Sequence, residues 1–205
     1  RSPIEPVAVT AVSSNNVAHL HETYDLIRGL GVRRWKVHLC QATGRAARDR
    51  RLLCEPADLE AMVRVLLRAA HEGEVTAPMT CSVGYLAAEE PLLRGRGGDR
   101  RPLWAGCVAG TGTVAITARG GLKGCVTLPE VFVEGNVLDT PLRDLWRDES
   151  LFPYTRSWSP DQVGGACARC ALSRRCRGGC PAVAYGATGQ VGANPYCLRT
   201  VRGMR

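Results

Sequence analysis

The sequence predicts two kinds of structure in one chain: a parallel α/β segment over the first seventy residues and, beyond Trp104, short elements built around cysteine. Three observations predict this. The apolar run Val7–Val12 is of the kind buried on both faces of a parallel sheet. Strand-like and helix-like patterns alternate up to Gly73, as in a βαβα segment. Seven of the ten cysteines follow Trp104, and four of them fall within the stretch CARCALSRRCRGGC, Cys167 to Cys180.

The elements follow in order. Ser13-Ser14-Asn15-Asn16 offers N-caps, and Asn15 and Asn16 read as cap residues rather than ligands. The helix after them places Leu20, Tyr24, Ile27 and Leu30 on one stripe and stops at Gly31. Trp35 to Leu39 reads as a second strand, followed by the loop Gln41-Ala42-Thr43-Gly44-Arg45-Ala46. Pro56 suits the first turn of a helix whose buried face is Leu59, Met62, Val63, Leu66 and Leu67, closed by Gly73. From about residue 74 the pattern breaks, and residues 94–102, RGRGGDRRP, read as a charged connection. Thr113–Ala118 and Leu122–Leu128 flank Arg119-Gly120-Gly121, a hairpin signal. Thr140 as N-cap and Pro141 as first residue start a short helix through Trp146. Asp144, Asp148 and Glu149 read as its solvated face. Two strands make no sheet alone, so the chain is expected to be the middle of a larger protein.

A chain of 205 residues buries a core without disulfide staples. No apolar run reaches the roughly 18 residues of a membrane span, and RSPIEPVAV resembles no signal peptide. The expectation is a cytoplasmic protein with reduced thiols and no membrane partner. The net charge of +8 comes almost wholly from arginine, since Lys36 and Lys123 are the only lysines. These charges are scattered, with no basic block interleaved with aromatics, which argues against a nucleic-acid partner.

The late cysteines follow the pattern Cys107-x12-Gly120-x4-Cys125, then Cys167-x2-Cys170-x5-Cys176-x3-Cys180, then Cys197. Short gaps let thiolates converge on one small centre, and Gly178 and Gly179 permit close backbone approach. Zinc sites take ligands in fours, often Cys with His, and all four histidines lie within the first 71 residues. A disulfide framework conflicts with the expected compartment. Iron–sulfur ligation by thiolates fits best. Cys40 and Cys54 read as packing thiols, and Cys81 as a buried thiol or a fourth ligand.

This string resembles the SPASM domain, the auxiliary-cluster domain of radical S-adenosylmethionine (SAM) enzymes. The likeness extends over about residues 104–205. It includes Cys107-Val-Ala-Gly110, Ile116-Thr-Ala-Arg-Gly120, Gly135-Asn136-Val137, the Cys176-Arg-Gly-Gly-Cys180 turn and Asn194-Pro-Tyr-Cys197. It implies a small irregular α+β domain with two auxiliary clusters, of the [4Fe-4S] type. Cys107, Cys125 and Cys180 would hold the inner cluster; Cys167, Cys170, Cys176 and Cys197 would hold the outer one. Residues 1–75 resemble the late strands of the partial (β/α) barrel of such enzymes, with 76–103 as a connecting segment. In such barrels ligands sit at strand C-terminal ends, so His38, Leu39 and Gln41 are candidates for a SAM pocket, the alternative for His38 and Leu39 being ordinary barrel packing.

The resemblance implies an oxidoreductase that modifies a peptide or protein side chain, with cross-link formation the commonest task. Its partners would be a precursor peptide, the missing N-terminal half and an electron donor such as flavodoxin or ferredoxin. No CxxxCxxC loop is present, so this stretch alone is expected to be inactive. Val126 stands where the sulfatase-maturing branch has Asp, and Cys176 stands where the quinone-cofactor branch has Asp, which disfavours both. The rival reading is a non-catalytic electron-transfer or scaffold subunit; a half-barrel with exposed sheet edges argues against it.

Overall fold

The computed structural model describes residues 4–95 and 103–204. The chain forms two compact units. The first comprises Arg1–Cys40, Asp49–Ala105 and Pro195–Arg205; the second comprises Gln41–Arg48 and Gly106–Asn194.

In the first unit, strands β1 (Val7–Val12) and β2 (Arg34–Leu39) pair in parallel, with Val7 opposite Arg34 and Val12 opposite Leu39. β2 buries Trp35, Val37 and Leu39 on one face and leaves Arg34 and Lys36 exposed on the other. The expectation that β1 is buried on both faces fails. Val9 is 64% exposed and Val7 is exposed beside it, because among the described residues only one face of this sheet is covered. That face carries helix α1 (Leu20–Gly29), whose Tyr24 ring lies 6.1 Å from the Trp35 ring. α1 buries Leu20, Tyr24 and Ile27 as expected, but it ends before Leu30, which is 71% exposed. Asn16 braces the turn before it instead of capping it. Its Oδ1 accepts the Ser13 amide at 2.9 Å and its Nδ2 donates to the Ala11 carbonyl at 3.0 Å.

Helix α2 (Leu59–Glu72) buries Leu59, Met62, Val63 and Leu66, with Val65 buried where Leu67 was expected. Gly73, at φ 73°, closes it by donating to the Ala69 carbonyl. The chain does not leave the sheet at residue 74. Thr76 exchanges backbone hydrogen bonds with Trp35 and Arg33 at 3.0 and 2.8 Å. The ladder is then carried by hydroxyls: Thr80 Oγ1 donates to the Val37 carbonyl, and Ser82 Oγ accepts the Leu39 amide. β2 is thus bonded along both edges.

Helix α3 (Glu90–Gly95) corrects the charged-connection reading at its start. Arg94 is buried and pairs at 2.5 Å with the fully buried Glu90, which also accepts the Trp104 amide at 2.7 Å. A guanidinium one helical turn after a carboxylate can enter the core as a pair. The rest of that stretch, 96–102, lies outside the described residues.

The second unit has little regular structure. β3 (Ala115–Ile116), β4 (Gly121–Lys123) and β5 (Gly135–Asn136) form an antiparallel sheet in that order. α4 (Leu142–Arg147) starts with Pro141, not Thr140, at its N-cap and has no side-chain cap. α5 (Ser173–Cys176) and α6 (Pro181–Thr188) follow, and α7 (Leu198–Val201) belongs to the first unit. No helix of the described residues is long and apolar enough to cross a membrane.

Candidate metal centre

The loops bearing Cys107 and Cys125 are joined within the second unit. Cys107 Sγ accepts the Ala109 amide at 3.4 Å, and the Gly110 amide donates to the Thr113 carbonyl at 2.7 Å. Gly124, beside Cys125, packs flush on that turn: a Cβ there would stand 3.1 Å from the Ala109 carbonyl carbon and the Gly110 nitrogen. Thr113 Oγ1 adds a hydrogen bond to the Gly124 carbonyl at 3.3 Å. Cys125 Sγ shares a hydrogen bond with Thr127 Oγ1, also at 3.3 Å. The buried Lys123 ammonium donates to the Leu128 carbonyl at 2.5 Å and the Val126 carbonyl at 3.3 Å, folding the segment after Cys125 back on itself.

Tyr154 stands at the junction of these loops. A Cβ on Gly124 would meet its hydroxyl at 2.3 Å. The ring is 8% exposed, and the hydroxyl has no hydrogen-bond partner of normal geometry among the described residues. Burial, and then the negative charge of Glu134, push the phenol pKa up; the Gly124 backbone opposes this, and the nearness of Cys107 and Cys125 adds to the rise. Its neighbours bind the Cys107 loop: Thr155 Oγ1 donates to the Ala109 carbonyl at 2.5 Å and Arg156 Nε to the Gly110 carbonyl at 2.8 Å. Glu134 is held by the Phe152 amide at 2.5 Å, and burial raises its pKa.

The four-cysteine stretch is shaped by backbone. Cys167 and Cys170 flank the end of a 3-10 turn over Gly165–Arg169, with the Cys170 amide donating to the Cys167 carbonyl at 3.1 Å. Cys167 Sγ donates to the Asn194 carbonyl at 3.9 Å. Cys176 ends α5. Arg177, Gly178 and Gly179 then take φ of 58°, 75° and 75°, a left-handed run that reverses the chain before Cys180. Gly178 lies against Gly192, where a Cβ would come within 2.8 Å of the Gly192 Cα. Cys180 is buried at the N-cap of α6, where the helix N-terminus favours negative charge.

Six candidate ligands, Cys107, Cys125, Cys167, Cys170, Cys176 and Cys180, therefore lie in the second unit, while Cys197 stands at the N-cap position of α7 in the first. No disulfide forms among the described residues, and no three His, Cys, Asp or Glu side chains there are gathered as for a metal ion. The donors nevertheless suit an iron–sulfur group. They are soft thiols, at least three already hydrogen-bonded at sulfur, set in glycine turns beside a buried phenol with no hydrogen-bond partner of normal geometry among the described residues.

The remaining cysteines divide. Cys54 is a packing thiol, with its pKa pushed up to about 12, first by burial and then by Asp58. Cys40 is half-buried, and Cys81 is exposed rather than buried. Among the candidates for the SAM pocket, Leu39 is in the core and its amide donates to Ser82 at 3.3 Å. His38 is half-buried beyond it, its pKa lowered by burial and then by Lys36. Gln41 opens the second unit with a buried Oε1 that has no partner among the described residues. Tyr154 and Thr127 were missed in the sequence. Lys123, one of two lysines and two residues from Cys125, was the one available signal.

No family model matches the chain. Curated relatives do. An AdoMet-dependent heme synthase of Methanosarcina barkeri is 27% identical over 92% of this chain and 54% of its own length. One of Nitratidesulfovibrio vulgaris is 26% identical over 95% of this chain and 54% of its own, and one of Oleidesulfovibrio alaskensis is 24% identical. The chain spans about half the length of these relatives. Among solved structures, Streptococcus suis SuiB matches 92% of this chain and 43% of its own with a TM-score of 0.54 at 18% identity, a likeness of fold. AdoMet is S-adenosylmethionine, the ligand that the family resemblance of the cysteine string implies. The AdoMet-dependent relatives and the likeness of fold are in keeping with the resemblance of the cysteine string to radical SAM proteins of the SPASM type.

Proposed function

We propose that this chain is the C-terminal portion of a radical SAM enzyme that modifies a peptide or protein side chain by forming a cross-link. The observation that carries the reading is the seven-cysteine string, six members of which lie in one compact unit. Cys107, Cys125 and Cys180 hold an inner auxiliary cluster, and Cys167, Cys170, Cys176 and Cys197 an outer one, both of the [4Fe-4S] type. The clusters, when bound, supply single-electron transfer. The chain's own residues do the rest. The Ala109 amide and the Thr127 hydroxyl stabilise negative sulfur at Cys107 and Cys125. Lys123 fixes the path of the Cys125 loop, and the glycines at 178 and 192 bring backbones together where any side chain would separate them.

His38, Leu39 and Gln41 would face S-adenosylmethionine in the intact enzyme, and the CxxxCxxC loop, absent from this stretch, would come from the remaining half. In this reading residues 1–75 belong to the barrel and 104–205 to the auxiliary domain. An electron donor of the flavodoxin or ferredoxin kind completes the system.

The printed name of the three curated relatives favours a second reading, in which the substrate is a tetrapyrrole. Incubating the intact, reduced enzyme and S-adenosylmethionine with a precursor peptide or with a porphyrin separates the two. The peptide reading expects 5′-deoxyadenosine release that depends on peptide, and a product lighter by two hydrogens. Release that depends on porphyrin alone overturns it in favour of the second.

A further inference from the structure

We propose that the Tyr154 hydroxyl donates a hydrogen bond to sulfur of the inner metal centre, and that Tyr154 is a positioning residue that sets the reduction potential of that centre. The inference rests on the reading that Cys107 and Cys125 ligate a cluster. It starts from the place of the ring. The loops bearing these cysteines touch where Gly124 meets Ala109 and Gly110, and the hydroxyl lies at that contact. Residues 154–156 are stitched to the same turn, because Thr155 and Arg156 donate to the Ala109 and Gly110 carbonyls. The ring is fixed further by Phe132, edge-on at 5.4 Å.

A hydroxyl more than nine-tenths buried and without a partner of normal geometry among the described residues is costly, by about 1–3 kcal/mol, so its surroundings should supply an acceptor. Three ionisable groups act on it: Glu134, Cys107 and Cys125. Glu134 already receives the Phe152 amide. The Cys107 sulfur accepts the Ala109 amide and the Cys125 sulfur shares a hydrogen bond with the Thr127 hydroxyl, and sulfur in an iron–sulfur centre accepts several hydrogen bonds. An O–H directed at sulfur stabilises the reduced, more negative state and raises the potential.

The test uses the full-length protein, reconstituted anaerobically with iron and sulfide and titrated electrochemically under electron paramagnetic resonance. Tyr154→Phe should keep its iron and move one cluster transition to more negative potential by about a tenfold change in the reduction equilibrium, about 59 mV for one electron, leaving the others in place. Replacing Tyr154 by 3-fluorotyrosine, which is nearly isosteric and a stronger donor, should move the same transition the other way. Normal iron content with every transition unmoved in Tyr154→Phe overturns the proposal. If that variant fails to fold, an unmoved transition in the fluorotyrosine protein overturns it. Wild-type protein that takes up no iron removes the cluster reading itself, a failure recognisable by metal analysis before any titration.

Discussion

The first unit packs through the apolar faces of two helices and a sheet, whereas the second, around buried Leu122, Leu128 and Phe152, brings backbone directly against backbone. Around β2, Trp35, Tyr24, Met62 and Leu66 are each buried almost completely, and the stripes of α1 and α2 supply the contacts. In the second unit the decisive approaches are glycine on backbone: Gly124 on Ala109–Gly110, and Gly178 on Gly192. Its sheet strands are two or three residues long. A hydrophobic core is sufficient for one unit. If the other holds the proposed clusters, much of its stability should come from them.

The sharpest way to break this contrast is to remove the metal. After iron chelation, amide exchange across 106–194 should rise by orders of magnitude, since structural metal sites contribute on the order of 10 kcal/mol, while β2 and α2 keep their protection. Uniform loosening of both units would erase the distinction. Next in size, Trp35→Ala removes a fully buried ring and its Nε1 hydrogen bond to Thr10 at 2.9 Å. Denaturant unfolding should show a loss of about 3–5 kcal/mol, the same with and without iron. Gly178→Ala should act on the other unit. A Cβ at φ 75° within 2.8 Å of the Gly192 Cα should cost about 1–3 kcal/mol and lower the iron bound per chain, leaving α2 unchanged.

The smallest effect is electrostatic and belongs to the first unit. Arg202 binds Glu60 at 2.6 Å and Glu89 at 2.8 Å, and its hydrogen bond holds the Glu60 pKa below the ordinary value. Because the folded pKa lies below the unfolded one, this contribution is complete above about pH 5 and fades as pH falls through the folded pKa. Arg202→Ala should therefore lower the melting temperature slightly at pH 7, a loss of under about 1 kcal/mol of stability, and the difference should fade as the pH falls through the folded Glu60 pKa.

How much was legible follows the same division. The stripes of α1 and α2, the buried positions of β2 and the cysteine spacing could all be read, because period and ligand spacing are local properties. The exposed face of β1 could not: an apolar run does not say whether both faces find neighbours, and Val9 does not. Residues 75–82 were missed as neighbours of β2 because Thr80 and Ser82 complete the ladder with hydroxyls, which no strand pattern announces. Arg94 was hidden by the glycine and arginine after it, although its partner Glu90 stood one helical turn before. Tyr154 reaches the cysteine loops only through tertiary folding, so nothing around it in the sequence marks it.

Metal analysis of anaerobically reconstituted protein tests the central claim most directly. The account predicts iron and acid-labile sulfide in equal amounts, with the broad visible absorption of iron–thiolate clusters, and a loss of part of both in Cys125→Ser. Stoichiometric zinc with no iron taken up, in a colourless protein, would contradict it.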